Sequence, residues 1–99
     1  MTLKILPHRV RGGRSIRLLG QLLAVPATRL GMVITLQARE RGRWRDFESA
    51  RTRHGGRFAT RYRFTSGAHG SFPIRALARA EASYPYATGH SRAVRIRVG

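Results

Sequence analysis

The chain has no cysteine and no asparagine, a single lysine, and only four carboxylates: Glu40, Asp46, Glu48 and Glu81. Without cysteine there is no disulfide framework, no thiolate metal site and no cysteine nucleophile. Four scattered acids leave little material for hydrolase chemistry. Asp46 and Glu48 are expected to share one strand face, where neighbouring arginines pair with carboxylates more readily than they tune them as acid and base. No serine stands in a Gly-x-Ser-x-Gly elbow. Apolar runs fall far short of the roughly 18 residues of a membrane span, and the first residues carry no signal-peptide pattern. These absences exclude most enzyme classes and leave no catalytic residue, cofactor site or membrane span to expect.

What is present is a chain of 99 residues, 41% hydrophobic and 8% aromatic, enough for one domain with one core. Its charge stands out: 20 basic residues against four acids give a formal +16. Such a balance points to a polyanionic partner. Nineteen of the 20 basic residues are arginine. A GC-rich genome explains arginine in place of lysine but not the shortage of acids. The four histidines, His8, His54, His69 and His90, lie in separate turns with no pair at ligand spacing, so no metal is expected. The turn Arg11-Gly12-Gly13-Arg14 lacks the lysine and following helix of a phosphate loop.

Hydrophobic periodicity is close to two throughout, the signature of half-buried strands. Phe58, Thr60, Tyr62 and Phe64 fall on one face, with Arg57, Arg61 and Arg63 on the other. Val94, Ile96 and Val98 alternate with Arg95 and Arg97. Phe72, Ile74, Ala76 and Ala78 alternate with Arg75, Leu77 and Arg79, and Ile16, Leu18, Gly20 and Leu22 share one parity, as do Ile34, Leu36 and Ala38. Trp44 and Phe47 have opposite parity, which requires either a bulge or the burial of only one. Glycine-rich turns separate these runs, and Glu40-Arg41-Gly42-Arg43 is a tight hairpin turn. The pattern predicts about seven strands, near 3–6, 14–22, 32–39, 43–51, 57–64, 72–80 and 92–98. Strands 32–39 and 43–51 form a hairpin; strands 43–51 and 57–64 form another unless the chain crosses between sheets there. The expected core includes Trp44, Phe58, Tyr62, Phe64 and Phe72. An all-β, two-sheet antiparallel sandwich is the economical architecture, with a closed barrel as the competitor. Both ends run into strands, so residues 1–99 read as a single domain excised from a longer protein.

Several strings resemble a known family. Gly12-Gly-Arg-Ser-Ile-Arg-Leu-Leu-Gly-Gln-Leu22 is similar to the opening strand of bacterial Ig-like modules. Val33-Ile-Thr-Leu-Gln-Ala-Arg39 followed by Gly42-Arg-Trp-Arg-Asp-Phe47 resembles their central hairpin, and Thr52-x-x-x-Gly56-Arg-Phe58 their next turn. The segment from Tyr84 to Val98 is similar to their closing loop and last strand. The resemblance is to Ig-like, carboxypeptidase-regulatory-like modules of high-GC Gram-positive bacteria, and it covers about residues 3–98. It implies an Ig-like sandwich of a secreted or cell-surface protein, without catalytic residues, acting in spacing and adhesion. Many relatives have an acidic turn where this chain has His54-Gly55. Some bacterial Ig modules carry a lysine isopeptide cross-link; here Lys4 and Asp46 are the only candidates for one.

In a two-sheet arrangement Arg75, Arg79, Arg95 and Arg97 lie outward on neighbouring strands, with Arg39 and Arg45 nearby. These six are the candidate polyanion contacts, since the planar guanidinium forms bidentate contacts with phosphate and carboxylate. Arg17, Arg57, Arg61 and Arg63 lie outward on the other sheet. The expected function is a non-catalytic accessory module for structural spacing and for adhesion to anionic cell-wall or surface polymers or to neighbouring domains. The alternative is a nucleic-acid-binding module using the same basic surface, with Tyr84 and Tyr86 as its loop aromatics. A third is docking through an exposed sheet edge.

Overall fold

The computed structural model describes residues 1–22, 31–78 and 89–99. Those residues form an all-β fold of two sheets packed together, with no α-helix. The strands are β1 (Thr2–Leu6), β2 (Arg9–Val10), β3 (Ser15–Gln21), β4 (Val33–Glu40), β5 (Arg43–Arg51), β6 (Arg57–Arg63), β7 (Gly70–Ala78), β8 (Gly89–His90) and β9 (Val94–Val98). Each of the seven expected strands has a counterpart, but the described residues hold nine strands, β2 and β8 being two-residue additions. Residues 79–80 of the expected strand 72–80 lie outside the described residues. The smaller sheet has the order β1-β3-β6, and the larger the order β2-β9-β7-β4-β5 with β8 beside β7. Periodicity alone allows β5 and β6 either to pair or to lie in different sheets; the chain crosses between sheets there. Among the described residues no ladder joins the two sheets, which sets this sandwich-like arrangement apart from a closed barrel.

The first strand is shared between sheets. β1 runs antiparallel to β3, and after Pro7 the chain pairs parallel with β9 as β2. Backbone bonds from Arg97 to the His8 carbonyl and from Gly99 to the Val10 carbonyl fix that switch, at 2.8 and 2.9 Å. The buried Thr52 ties the end of β5 to the start of β4: its hydroxyl accepts from the Met32 amide at 2.9 Å. Ser91 plays the matching part at the other edge, accepting from the Ala76 amide at 2.9 Å.

The deepest side chains are aliphatic: Ile5, Ile16, Leu18, Ile34, Leu36, Ile74, Ile96 and Val98 are all fully buried. Each such burial contributes about 1.5–3 kcal/mol. Of the five aromatics expected in the core, only Phe58 is fully inside. Tyr62, Phe64 and Phe72 are half-buried and gather, with Phe47, at one end between the sheets. Phe58 lies opposite Gly20 on β3, where a β-carbon would overlap both the Phe58 ring and the Thr2 carbonyl oxygen. That close approach requires glycine.

Two parity expectations are corrected. The β4–β5 ladder shifts register between Leu36 and Gln37, so Glu48 faces Leu36 while Asp46 faces Gln37, and Phe47 is the extra residue of a bulge. Phe47 therefore turns inward, and Trp44 turns out of the core onto the outer face of the larger sheet. For the same reason Asp46 and Glu48 lie on opposite faces, and the expected shared face does not exist. Leu77 faces outward as its parity requires, yet it is only 6% exposed, because it sits in the outer face between Thr35 of β4 and His90 of β8.

Candidate polyanion-binding surface

The register of the larger sheet brings one row of polar side chains together across three strands. Gln37 of β4 lies opposite Asp46 of β5 on one side and Arg75 of β7 on the other. The Gln37 amide nitrogen donates to Asp46 Oδ1 at 2.8 Å, and its carbonyl oxygen accepts from Arg75 Nε at 2.9 Å. Buried Gln37 thus relays between an acid and a base with both ends of its amide used. Trp44 stands one register step away, opposite Arg39, and the Arg75 guanidinium lies 4.1 Å from its ring centroid. Arg75 is held by a hydrogen bond and a ring face at once. A side chain fixed in this way has little rotamer entropy left to lose on binding.

Arg95 and Arg97 extend this face across β9. Arg95 lies opposite Pro73 and donates to the Ser71 hydroxyl at 3.3 Å; Arg97 lies opposite Ser71 and, on its other side, Arg9. Arg39, Arg95 and Arg97 are exposed. Of the six expected contacts, then, Arg39, Arg75, Arg95 and Arg97 share one face. Arg45 does not: past the Phe47 bulge it pairs with inward-facing Ala38, and its guanidinium lies 3.8 Å from Glu40. Arg79 lies outside the described residues, as do Tyr84 and Tyr86.

The smaller sheet carries Lys4, Arg17, Arg57, Arg61 and Arg63 on its outer face, all exposed. Arg17 and Arg61 are direct cross-strand neighbours. Arg63 donates from Nε to the Gly13 carbonyl at 2.9 Å, anchoring the glycine-rich turn. Lys4 and Asp46 lie on the outer faces of different sheets, so no isopeptide bond joins them.

Sequence reasoning missed Gln37, Asp46 and Trp44 as parts of this surface. The opposite parity of Trp44 and Phe47 was the one signal for the tryptophan, and the two polar residues gave none without the register. Among the described residues no three metal-binding side chains converge, and no helix is long and apolar enough to cross a membrane. No family model matches the chain, and no curated protein is significantly similar to it.

Proposed function

We propose that this chain is a non-catalytic Ig-like accessory module of a secreted or cell-surface bacterial protein, binding anionic polymers through the outer face of its larger sheet. The strand order supports the Ig-like part: β1-β3-β6 against β9-β7-β4-β5 parallels the A-B-E and G-F-C-C′ orders of such sandwiches. Placement at the cell surface rests on the sequence resemblance. The observation that carries the binding reading is Arg75, locked between Gln37 and Trp44 at the centre of a face that also presents Arg39, Arg95 and Arg97. Nucleic-acid binding is the competing reading; single-strand binding draws on open aromatic faces for stacking, and the Trp44 ring already carries a guanidinium.

The test is a titration of labelled dextran sulfate, an anionic wall glycan and duplex DNA across a salt series. The proposal expects glycan and dextran sulfate to bind with a salt slope of several charges, and Trp44→Ala to weaken both more than Arg61→Gln does. Binding confined to DNA and surviving about 200 mM salt would overturn it.

A further inference from the structure

A different end of the molecule combines an apolar recess with clustered charge. At the β4–β5 hairpin end, burial thins out: Ile34 and Leu36 are fully buried, whereas Ala38 is half-buried and Glu40 exposed. The space left between the sheets is a cleft of about 200 Å³ walled by Phe47, Tyr62, Phe64 and Phe72. Tyr62 meets Phe47 and Phe64 edge-on, with centroids 4.9 and 5.2 Å apart, so the walls are set by ring packing.

Glu40 lines this cleft and also a second recess of about 350 Å³ formed with Arg41, Arg43 and Arg45. The register explains why the two adjoin. Arg43 pairs with Glu40 and Arg45 with Ala38, so both arginines stand on the face of the sheet that borders the cleft. Three guanidinium groups against one carboxylate leave a local net charge of +2.

The turn itself adds an independent observation. Arg41 and Gly42 have φ of 51° and 78°, the double positive φ of a two-residue hairpin turn that favours asparagine, aspartate or glycine at its first central position. Arg41 is the one non-glycine residue with positive φ among the described residues. Arginine is a poor choice there for folding, and it adds a cation beside the cleft.

We infer that the hairpin end is a docking site for an acidic polypeptide segment bearing one aromatic anchor. The ring would seat against Phe47, Tyr62, Phe64 and Phe72, and the flanking carboxylates would meet Arg41, Arg43 and Arg45. The cleft is smaller than the roughly 300–1,000 Å³ of small-molecule pockets and suits a single side chain. Three arginines around one opening match several anions along a chain better than one anion on a small molecule. A central aromatic seated in a pocket is a common interface hot spot, and interfaces carry a polar rim around such anchors. This site is separate from the outer face proposed above and does not depend on it.

The experiment uses the intact chain and two fluorescent peptides, one with a central tryptophan flanked by three glutamates on each side, the other with alanine in its place. Anisotropy titrations should show the tryptophan peptide binding at least about tenfold more tightly. Arg41→Asn should weaken that binding several-fold while keeping or raising Tm, a split that damage to the fold cannot produce. Glu40→Gln should tighten it by removing the one acid among the described residues that line the site. Equal affinity for the two peptides overturns the inference, as does unchanged affinity in Arg41→Asn or in Glu40→Gln. Dextran sulfate binding is the control: its weakening by about two- to fivefold in Trp44→Ala with peptide binding intact separates the outer face from the hairpin end.

Discussion

The two outer faces of the sandwich carry charge of the same sign in different states of organisation. On the smaller sheet, Lys4, Arg17, Arg57 and Arg61 stand exposed with no carboxylate of the described residues among them, and Arg17 directly opposes Arg61. On the larger sheet, Asp46 and Gln37 position Arg75 over Trp44, and Arg39, Arg95 and Arg97 surround them. The first face produces a field and the second a built surface. A field raises encounter rates and fades with salt beyond about 10 Å. A surface with an immobilised guanidinium also presents fixed geometry to whatever the field attracts. Charge count alone does not separate the two; hydrogen bonding does.

The largest expected effect abolishes both faces together. Leu36 is fully buried between the sheets, and Leu36→Ala should cost about 2–5 kcal/mol, read as one cooperative urea transition in which both faces are lost at once. Gly20→Ala acts on the smaller sheet first, because the new methyl group meets the Phe58 ring and the Thr2 carbonyl. Overpacking of this kind costs about 1–3 kcal/mol. Denaturant melts should show that loss, with dextran sulfate affinity of the folded protein kept. Trp44→Ala acts on the larger sheet alone. Loss of the stacked ring should reduce dextran sulfate affinity by about two- to fivefold, the equivalent of a cation–π contact of about 0.5–1 kcal/mol. The smallest effect runs the other way: Arg17→Glu turns a cross-strand repulsion into an attraction. It should stabilise the fold by about 0.2–1 kcal/mol, with the gain in Tm greatest at low salt.

Much of the fold was legible in the sequence because one physical rule dominates a two-sheet protein. Strands 57–64 and 92–98 each turn every second apolar residue inward, and the structure places Phe58, Ile96 and Val98 inside with Arg57, Arg61, Arg95 and Arg97 outside. The rule fails where the chain departs from period two. One extra residue at Phe47 reverses the faces of Trp44, Arg45 and Asp46 relative to Glu48, and a bulge cannot be located from side-chain chemistry alone. The opposite parity of Trp44 and Phe47 marked the strand but not the position. Leu77 faces outward as its parity requires, but its burial was not legible, because it lies beside β8, a two-residue strand with no periodicity to read. The arginine face was legible as a set of outward residues, whereas its organising centre was not. Gln37 matters only because the register puts Asp46 on one side of it and Arg75 on the other.

The difference between the two faces is most directly tested by NMR on the isotopically labelled chain, following backbone amide shifts as dextran sulfate is added at about 150 mM salt. If the larger sheet is the binding surface, the shifts concentrate on β4, β7 and β9 around Gln37, Arg39, Arg75 and Arg95, and Trp44→Ala diminishes them. Shifts centred on Arg17, Arg57 and Arg61, or spread evenly over both faces and unchanged by Trp44→Ala, would contradict it.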